Sequence, residues 1–223
     1  MKVKLFFQAI IKFLLGVLIV GLLVFIPAKT LNYWNGWLFM GLLFIPMFIA
    51  GIIMMVKSPD LLKKRLNAKE KENEQKQVVL FSGLMFISGF IVAGLNYRYN
   101  WIEVSNYVVI FSSVVFILAY IMYAEVLREN AYLSRTIEVQ ENQKVVDTGL
   151  YGIVRHPMYA ATILLFLSMP LVLGSILSFV IFLVYPFIIA KRIKNEEEVL
   201  EKELDGYSDY KKKVKYKIIP FIW

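Results

Sequence analysis

The sequence predicts an all-α fold: a polytopic helical membrane protein with about six apolar helices. These include a tight C-terminal hairpin, followed by a cytoplasmic amphipathic helix. Hydrophobic residues make up 59% of the 223-residue chain and the mean hydropathy is +0.63, whereas soluble domains are nearer half apolar. The apolar residues lie in blocks whose lengths are close to the roughly 20 residues that a membrane-spanning helix needs. Basic residues lie between and after these blocks.

The apolar blocks predict four long spans and two shorter ones. The long spans cover about 5–26, 35–56, 78–96 and 106–127, and the shorter ones about 158–173 and 176–190. The first block is too long for a signal peptide, so we expect a retained span. Gly174-Ser175 is the only turn signal between the last two blocks, and it predicts a tight hairpin. Because both blocks are short, a hairpin buried among the other helices is an alternative to two full spans.

The distribution of basic residues predicts the orientation. If the N-terminus is cytoplasmic, only Lys29 and Arg98 of the 25 lysines and arginines fall on the outside. This asymmetry predicts that both termini and the segments 57–77 and 130–157 are cytoplasmic. The net charge of +8 then reflects topology and anionic lipid headgroups, and no nucleic-acid partner is expected. A composition rich in Lys, Ile and Asn suggests an AT-rich microbial genome, so the expected location is a prokaryotic inner (plasma) membrane.

Several chemistries are excluded by composition. The chain has no cysteine and a single histidine, His156. It therefore has no disulfide, no thiolate metal site and no cysteine nucleophile. One histidine without cysteine predicts no transition-metal site.

The first motif that could carry chemistry precedes the fifth apolar block. It reads Gly149-Leu-Tyr-Gly-Ile-Val-Arg-His-Pro-Met-Tyr159. Pro157 is predicted to open a helix, so Arg155 and His156 precede a helix N-terminus, which favours an anion such as a carboxylate. Tyr151 and Tyr159 can offer aromatic faces to a cation. The alternative is that these residues are interfacial anchors.

The second motif follows the sixth apolar block and contains Arg192, Glu196 and Glu197. Arg192 lies one helical turn before Glu196, so the two side chains can meet. Acidic groups at a membrane boundary are costly unless they are paired or used, and the hairpin returns both motifs to one membrane face. S-adenosylmethionine, which has a carboxylate, a cationic centre, an amine and ribose hydroxyls, suits such a site. The alternative is a simple ion pair on a solvated helix.

The two motifs together resemble the isoprenylcysteine carboxyl methyltransferase family. Its pattern is Gly-x-Tyr-x-x-x-Arg-His-Pro-x-Tyr, a helical hairpin, and Arg-x-x-x-Glu-Glu. The tail 204–210 and the lead-in segments 133–136 and 145–149 are also similar to the family. The resemblance covers about residues 125–223 well and the first four spans loosely.

The resemblance implies an integral membrane methyltransferase that uses S-adenosylmethionine. Residues 1–127 would form N-terminal spans, and residues 128–223 the methyltransferase core: a cytoplasmic loop, the hairpin and a helix covering the cofactor, all within a single domain. The acceptor would be a lipophilic small molecule or lipid, most readily a carboxylate, with membrane lipids as further partners. Arg192 and Glu196 would be catalytic. The expected cofactor contacts are Val145, Val146, Tyr151, Arg155, His156, Pro157, Tyr159, Glu196 and Glu197.

Three other functions stay open at this point. A phospholipid amine N-methyltransferase would share much of the pattern. A membrane sterol-type reductase using NADPH shares parts of it, but such reductases continue Tyr-x-Gly-Glu where this chain has Tyr159-Ala-Ala-Thr162. A non-enzymatic membrane scaffold or transporter would use the charges only for topology.

Because the chain has no cysteine, its orientation can be tested with introduced ones. We expect Lys64→Cys and Lys144→Cys to resist a membrane-impermeant thiol reagent in intact cells, and Asn100→Cys to react. The reverse pattern of labelling would overturn the predicted orientation.

Overall fold

The structure, a computed structural model, describes residues 2–67, 73–134 and 136–223. Arg135 and residues 68–72, which the charge analysis assigns to the cytoplasmic side, lie outside the described residues. Within the described ranges the chain folds into helices joined by irregular segments. In chain order they are α1 Lys2–Ala28, α2 Trp34–Lys57, α3 Pro59–Leu66, α4 Asn73–Tyr99, α5 Asn106–Glu129, a 3-10 helix Gly149–Gly152, α6 Pro157–Val172, α7 Ile176–Phe182, α8 Tyr185–Glu203 and α9 Tyr207–Lys213.

The predicted fold class is confirmed. Five helical stretches of the described chain are long and apolar enough to cross a membrane, and α6 is a shorter apolar helix. They are Val3–Ala28, Trp34–Lys57, Gln75–Tyr99, Asn106–Glu129 and Ile176–Glu203. Most of their large apolar side chains point outward, because in a bilayer the backbone polar groups are satisfied within the helix and apolar side chains can face lipid.

The last of these stretches is not one regular helix. It is interrupted at Leu183–Val184, between α7 and α8. Pro186 has no N–H and cannot donate to the carbonyl of Phe182, so the regular helical ladder is broken there. Beyond Val184, α8 continues well past the predicted span end at 190 and reaches Glu203. The second motif therefore lies in the middle of α8.

The hairpin between α6 and α7 turns at Gly174, which has a φ of +72° that glycine adopts without strain. The carbonyls that end α6 have no helical partner, and polar side chains from other helices satisfy them. The Asn35 side chain donates to the Val172 carbonyl (3.1 Å), and the Asn96 side chain donates to Gly174 (3.4 Å). These bonds fix the hairpin tip inside the bundle. With 16 residues, α6 is only about 24 Å long.

Contacts between polar segments support the predicted sidedness of the loops. The Lys12 ammonium donates to the Leu66 carbonyl (2.6 Å), and the Arg65 guanidinium donates to the Ser134 carbonyl (3.4 Å). The start of α1, the helix α3 and the segment 130–148 therefore share one end of the bundle. The side of the membrane on which this end lies stays a prediction.

The C-terminal tail returns to the start of α6. The backbone N–H groups of Arg155 and His156 donate to the carbonyls of Tyr216 (2.9 Å) and Lys217 (2.8 Å). The described part of the segment 130–148 forms turns and irregular backbone. Its polar groups bond locally, as when the Gln140 N–H donates to the Gln143 side chain (2.9 Å), so no strand ladder is needed to satisfy them.

Two glycines of α4 allow close packing in the bundle. A Cβ at Gly94 would lie 2.5 Å from the Val24 carbonyl oxygen of α1, and one at Gly89 would lie 2.3 Å from the Phe182 ring of α7. Small residues at such crossings let membrane helices approach each other closely. The α1–α4 contact is the tighter constraint, because its obstacle is backbone.

We predict that Gly94→Ala lowers stability by about 1–3 kcal/mol, because the added methyl group forces α1 and α4 apart. Gly83→Ala on the same helix is the matched control, since a Cβ there meets nothing within 4 Å and alanine is the better helix former. Thermal unfolding in detergent measures both. Equal melting temperatures for the two variants would contradict the packing argument.

Candidate active site

The two sequence motifs meet at one end of the bundle. The start of α6 supplies Arg155, His156 and Tyr159, and α8 supplies Glu196 and Glu197. His156 Nε2 lies 3.1 Å from Glu197 Oε1, and the Tyr159 hydroxyl donates to Glu196 Oε2. The hairpin thus brings together residues about forty positions apart, as the sequence predicts.

Glu197 is held in a buried ion pair. Arg155 Nε donates to Glu197 Oε1 at 2.8 Å, and the exposed fractions of the two side chains are 4% and 6%. Arg155 Nη1 also donates to the carbonyls of Val214 (2.7 Å) and Lys215 (2.8 Å). This arrangement, the Arg155–Glu197 clasp, joins the start of α6, the middle of α8 and the tail. The charges of both residues are satisfied within the protein.

Glu196, one position away, lies in a different environment. It is joined to Arg192 through the Tyr159 hydroxyl, which accepts from Arg192 Nε (2.8 Å) and donates to Glu196. Arg192 Nη1 donates to the Gln75 side chain (2.8 Å), whose amide in turn donates to Asn195 (2.8 Å). We expected Arg192 and Glu196 to meet as a direct pair along the helix; the structure inserts a tyrosine from α6 between them.

Gln75 was not among the predicted site residues. It is fully buried at the start of α4, yet it belongs to the polar run Asn73-Glu-Gln-Lys-Gln77, which has the composition of a solvated surface. No local signal distinguishes Gln75 from Gln77. Its role depends on α4 crossing α8, which is a long-range feature.

These side chains line a cleft under the irregular segment 130–148. The predicted residues in its wall are Val145, Val146, Tyr151, Arg155, His156, Tyr159, Arg192 and Glu196. Pro157 and Glu197 lie behind that wall: Pro157 is the first residue of α6, as predicted, and Glu197 forms the clasp. Further lining residues that the sequence analysis did not name are Asn130, Tyr132, Leu133, Ser134, Thr136, Ile137, Glu138, Gln143, Lys144, Met158, Leu200, Leu204, Tyr207 and Tyr210.

Three tyrosines in the cleft wall stay protonated at neutral pH. Burial raises the pKa of Tyr151, Tyr207 and Tyr210 well above the ordinary value, because a buried phenolate is poorly solvated. The Tyr210 hydroxyl donates to the Tyr151 carbonyl (2.8 Å), and the Asn130 side chain donates to the Tyr151 hydroxyl (3.0 Å). The Tyr210 proton is thus used within the protein, whereas the Tyr151 and Tyr207 hydroxyls stay protonated in the cleft wall.

The segment that carries this arrangement is similar to a known protein family. Residues 108–202 match the sequence model of the isoprenylcysteine carboxyl methyltransferase (ICMT) family. This similarity to the ICMT family therefore covers less than half of the chain. The matching segment contains both motifs, the hairpin and most of α8, whereas α9 and the tail lie beyond it.

The fold is similar to that of a eukaryotic intramembrane Ras methyltransferase, ICMT, with a TM-score of 0.51 and 17% identity over 99% of this chain and 96% of that chain. At this identity the likeness concerns the fold. The mouse (Mus musculus) Delta(14)-sterol reductase TM7SF2 is 29% identical over 91 residues, which are 40% of this chain and 22% of the reductase. The chain thus matches only about a fifth of that relative's length.

We predict that Glu197→Gln lowers stability by about 3–5 kcal/mol, because it leaves the Arg155 guanidinium buried without a counter-charge. Glu198→Gln is the matched control, since Glu198 is the next residue of α8 and is exposed. Thermal unfolding of the two variants in detergent tests the clasp. A Glu197→Gln protein as stable as the control would show that the pair is dispensable for folding.

Proposed function

We propose that this chain is an integral membrane methyltransferase that moves a methyl group from S-adenosylmethionine to a carboxylate of a lipophilic acceptor. The match of residues 108–202 to the ICMT family model supports methyl transfer. The observation that supports a carboxylate as the methyl acceptor is the fixed orientation of Arg192. Its guanidinium donates to Tyr159 from one side and to Gln75 from another. A planar, pre-oriented guanidinium suits two-point binding of a carboxylate.

The residues of the cleft fit such a methyl donor. The Glu196 carboxylate can accept hydrogen bonds from ribose hydroxyls or from an amine. His156 and Tyr151 add polar and aromatic surface, and Val145 and Val146 add apolar surface. A buried hydroxyl of Tyr207 has no partner among the described residues. The cleft has a cavity volume of about 100 Å³, whereas ligand pockets usually have about 300 Å³ or more. Binding of a ligand of that size therefore requires the cleft to widen.

The proposed chemistry needs no general base, because a carboxylate is already ionised at neutral pH. When bound, S-adenosylmethionine supplies an electrophilic methyl group, which forms a bond to the acceptor oxygen while the electron pair of the broken carbon–sulfur bond stays on sulfur. Arg192 orients the acceptor, and hydrogen bonds to Tyr159 and Gln75 orient Arg192. Catalysis then rests on alignment and on a preorganised electrostatic environment.

A second groove supports a lipophilic acceptor. It lies between α4 and α7–α8, is mostly apolar and has a cavity volume of about 530 Å³. One end is formed by Gln77 and Lys191, close in sequence to Gln75 and Arg192. An acceptor whose chain lies in this groove would enter from the bilayer, while the methyl donor enters from the cytoplasmic side that the charge pattern predicts.

Binding and transfer experiments test the function. Titration calorimetry of the purified protein with S-adenosylhomocysteine and with NADPH separates a methyltransferase from a reductase, which the similarity to the sterol reductase makes the relevant competitor. Labelled methyl transfer into a lipid extract then identifies the product class, because base releases label from an ester and not from an N-methyl amine. Binding of NADPH alone would overturn the proposal, and base-stable product would replace the carboxylate with an amine.

We predict that Arg192→Lys keeps most of the affinity for S-adenosylhomocysteine but lowers kcat/KM about a hundred-fold, with kcat falling as well as KM rising. Lysine keeps the positive charge but lacks the fork that holds two oxygens. Lys194→Met is the matched control, since Lys194 lies on the same helix and is exposed. If Arg192→Lys transfers methyl groups as fast as the wild type, the carboxylate assignment is wrong.

A further inference from the structure

Tyr207 is a buried tyrosine whose hydroxyl group is unsatisfied. Its exposed fraction is 4%, and its Oη atom has no hydrogen-bond partner among the described residues. The hydroxyl groups of the four other tyrosines that line the cleft all have partners: Tyr132, Tyr151, Tyr159 and Tyr210. A buried hydroxyl without a partner costs about 1–3 kcal/mol, and such groups are rare in folded proteins unless they have a function.

The position of Tyr207 gives this hydroxyl a place in the cleft. It is the first residue of α9, after Gly206, whose φ of +81° turns the chain back toward α8. Its side chain belongs to a cluster with Leu204, and Val145 and Leu200 pack against this cluster. All of these residues except the glycine line the cleft, so one hydrogen-bond donor lies within an apolar section of its wall.

The surroundings of Tyr207 favour one part of the methyl donor over the others. Burial, and after it the nearby Glu197 and Glu196 carboxylates, raise the pKa of Tyr207. The same two effects disfavour the carboxylate of a ligand there. A ribose hydroxyl is better served by the Glu196 carboxylate, which accepts without donating. A flat heteroaromatic ring with acceptor nitrogens matches an apolar wall that has a single donor.

We propose that the Tyr207 hydroxyl donates a hydrogen bond to a ring nitrogen of the adenine of S-adenosylmethionine, with the ring against Val145, Leu200 and Leu204. This inference rests on the proposed function and adds a binding residue from α9, outside the segment 108–202 that matches the family. Because α9 brings Tyr207 to the cleft, the C-terminal tail then forms part of the ligand site.

The first test is Tyr207→Phe in the full-length protein in detergent. We expect the dissociation constant for S-adenosylhomocysteine to rise about three- to ten-fold, which is the usual net value of one neutral hydrogen bond. Without ligand, the melting temperature should stay the same or rise, because the variant loses only an unsatisfied group. Tyr210→Phe is the comparison: it should lower the melting temperature, since the Tyr151 carbonyl loses its donor.

The second test identifies the acceptor atom. Analogues of S-adenosylhomocysteine in which adenine N1, N3 or N7 is replaced by a CH group are titrated into the wild type and Tyr207→Phe. One analogue should bind the wild type as weakly as the parent compound binds the variant, and the variant should show no further loss with that analogue. If the effects of the substitution and of the analogue do not add, the Tyr207 hydroxyl and that ring nitrogen are in direct contact.

The outcomes separate this inference from the proposed function. If the wild type does not bind S-adenosylhomocysteine, the proposed function and the inference both fail. If it binds and Tyr207→Phe binds equally well, only the inference fails. If the variant binds weakly but its effect adds to that of every analogue, Tyr207 does not contact an adenine nitrogen and the assignment to adenine is wrong.

Discussion

The candidate active site depends on the Arg155–Glu197 clasp. Two opposite charges that are almost fully buried are stable only as a pair with further hydrogen bonds, because removing either from water alone is very costly. The carbonyls of Val214 and Lys215 provide those bonds. Three segments that are distant in sequence, the start of α6, the middle of α8 and the tail, must therefore come together for the charges to be satisfied. The clasp thus fixes the walls of the cleft.

The clasp also explains how two neighbouring glutamates acquire different roles. Consecutive residues on an α-helix point about 100° apart. With Glu197 directed toward Arg155 and His156, Glu196 is directed toward Tyr159 and the cleft. The Glu197 carboxylate stabilises the fold, whereas the Glu196 carboxylate lines the cleft, where a ligand can reach it. A Glu-Glu pair at the end of a membrane hairpin can in this way couple the stability of the fold to the geometry of the site.

Sequence patterns predicted the features that depend on local spacing. Apolar blocks gave the spans, Gly174-Ser175 gave the hairpin turn, and Pro157 marked the first residue of α6. The distance between the motifs implied that they meet. The contacts that depend on helix crossings could not be predicted. Gln75 has the same local surroundings as a solvated residue, and only the crossing of α4 and α8 buries it.

The hydrogen-bond partners of individual side chains likewise depend on contacts that local sequence spacing does not reveal. Helical spacing favours a pair between Arg192 and Glu196, because residues four apart lie on one face. It gives no information about Tyr159, which reaches between them from another helix. The tail 204–210, which contains Tyr207, is similar in sequence to the family, but this similarity does not indicate that the Tyr207 hydroxyl lacks a partner. Satisfaction of buried polar groups is a property of the packed structure, so it becomes visible only there.

Arg192 connects the two environments that the proposed reaction requires. On one side lies the polar cleft with Glu196 and the tyrosines; on the other, the apolar groove between α4 and α7–α8 begins next to Lys191. A charge at such a boundary would ordinarily extend toward water to keep its solvation. Hydrogen bonds to Tyr159 and Gln75 instead replace part of that solvation and hold the guanidinium in one orientation. Under the proposed function, this exchange of water for fixed partners lets a lipid-soluble acceptor and a water-soluble donor meet at a single group without opening the bilayer interior to solvent.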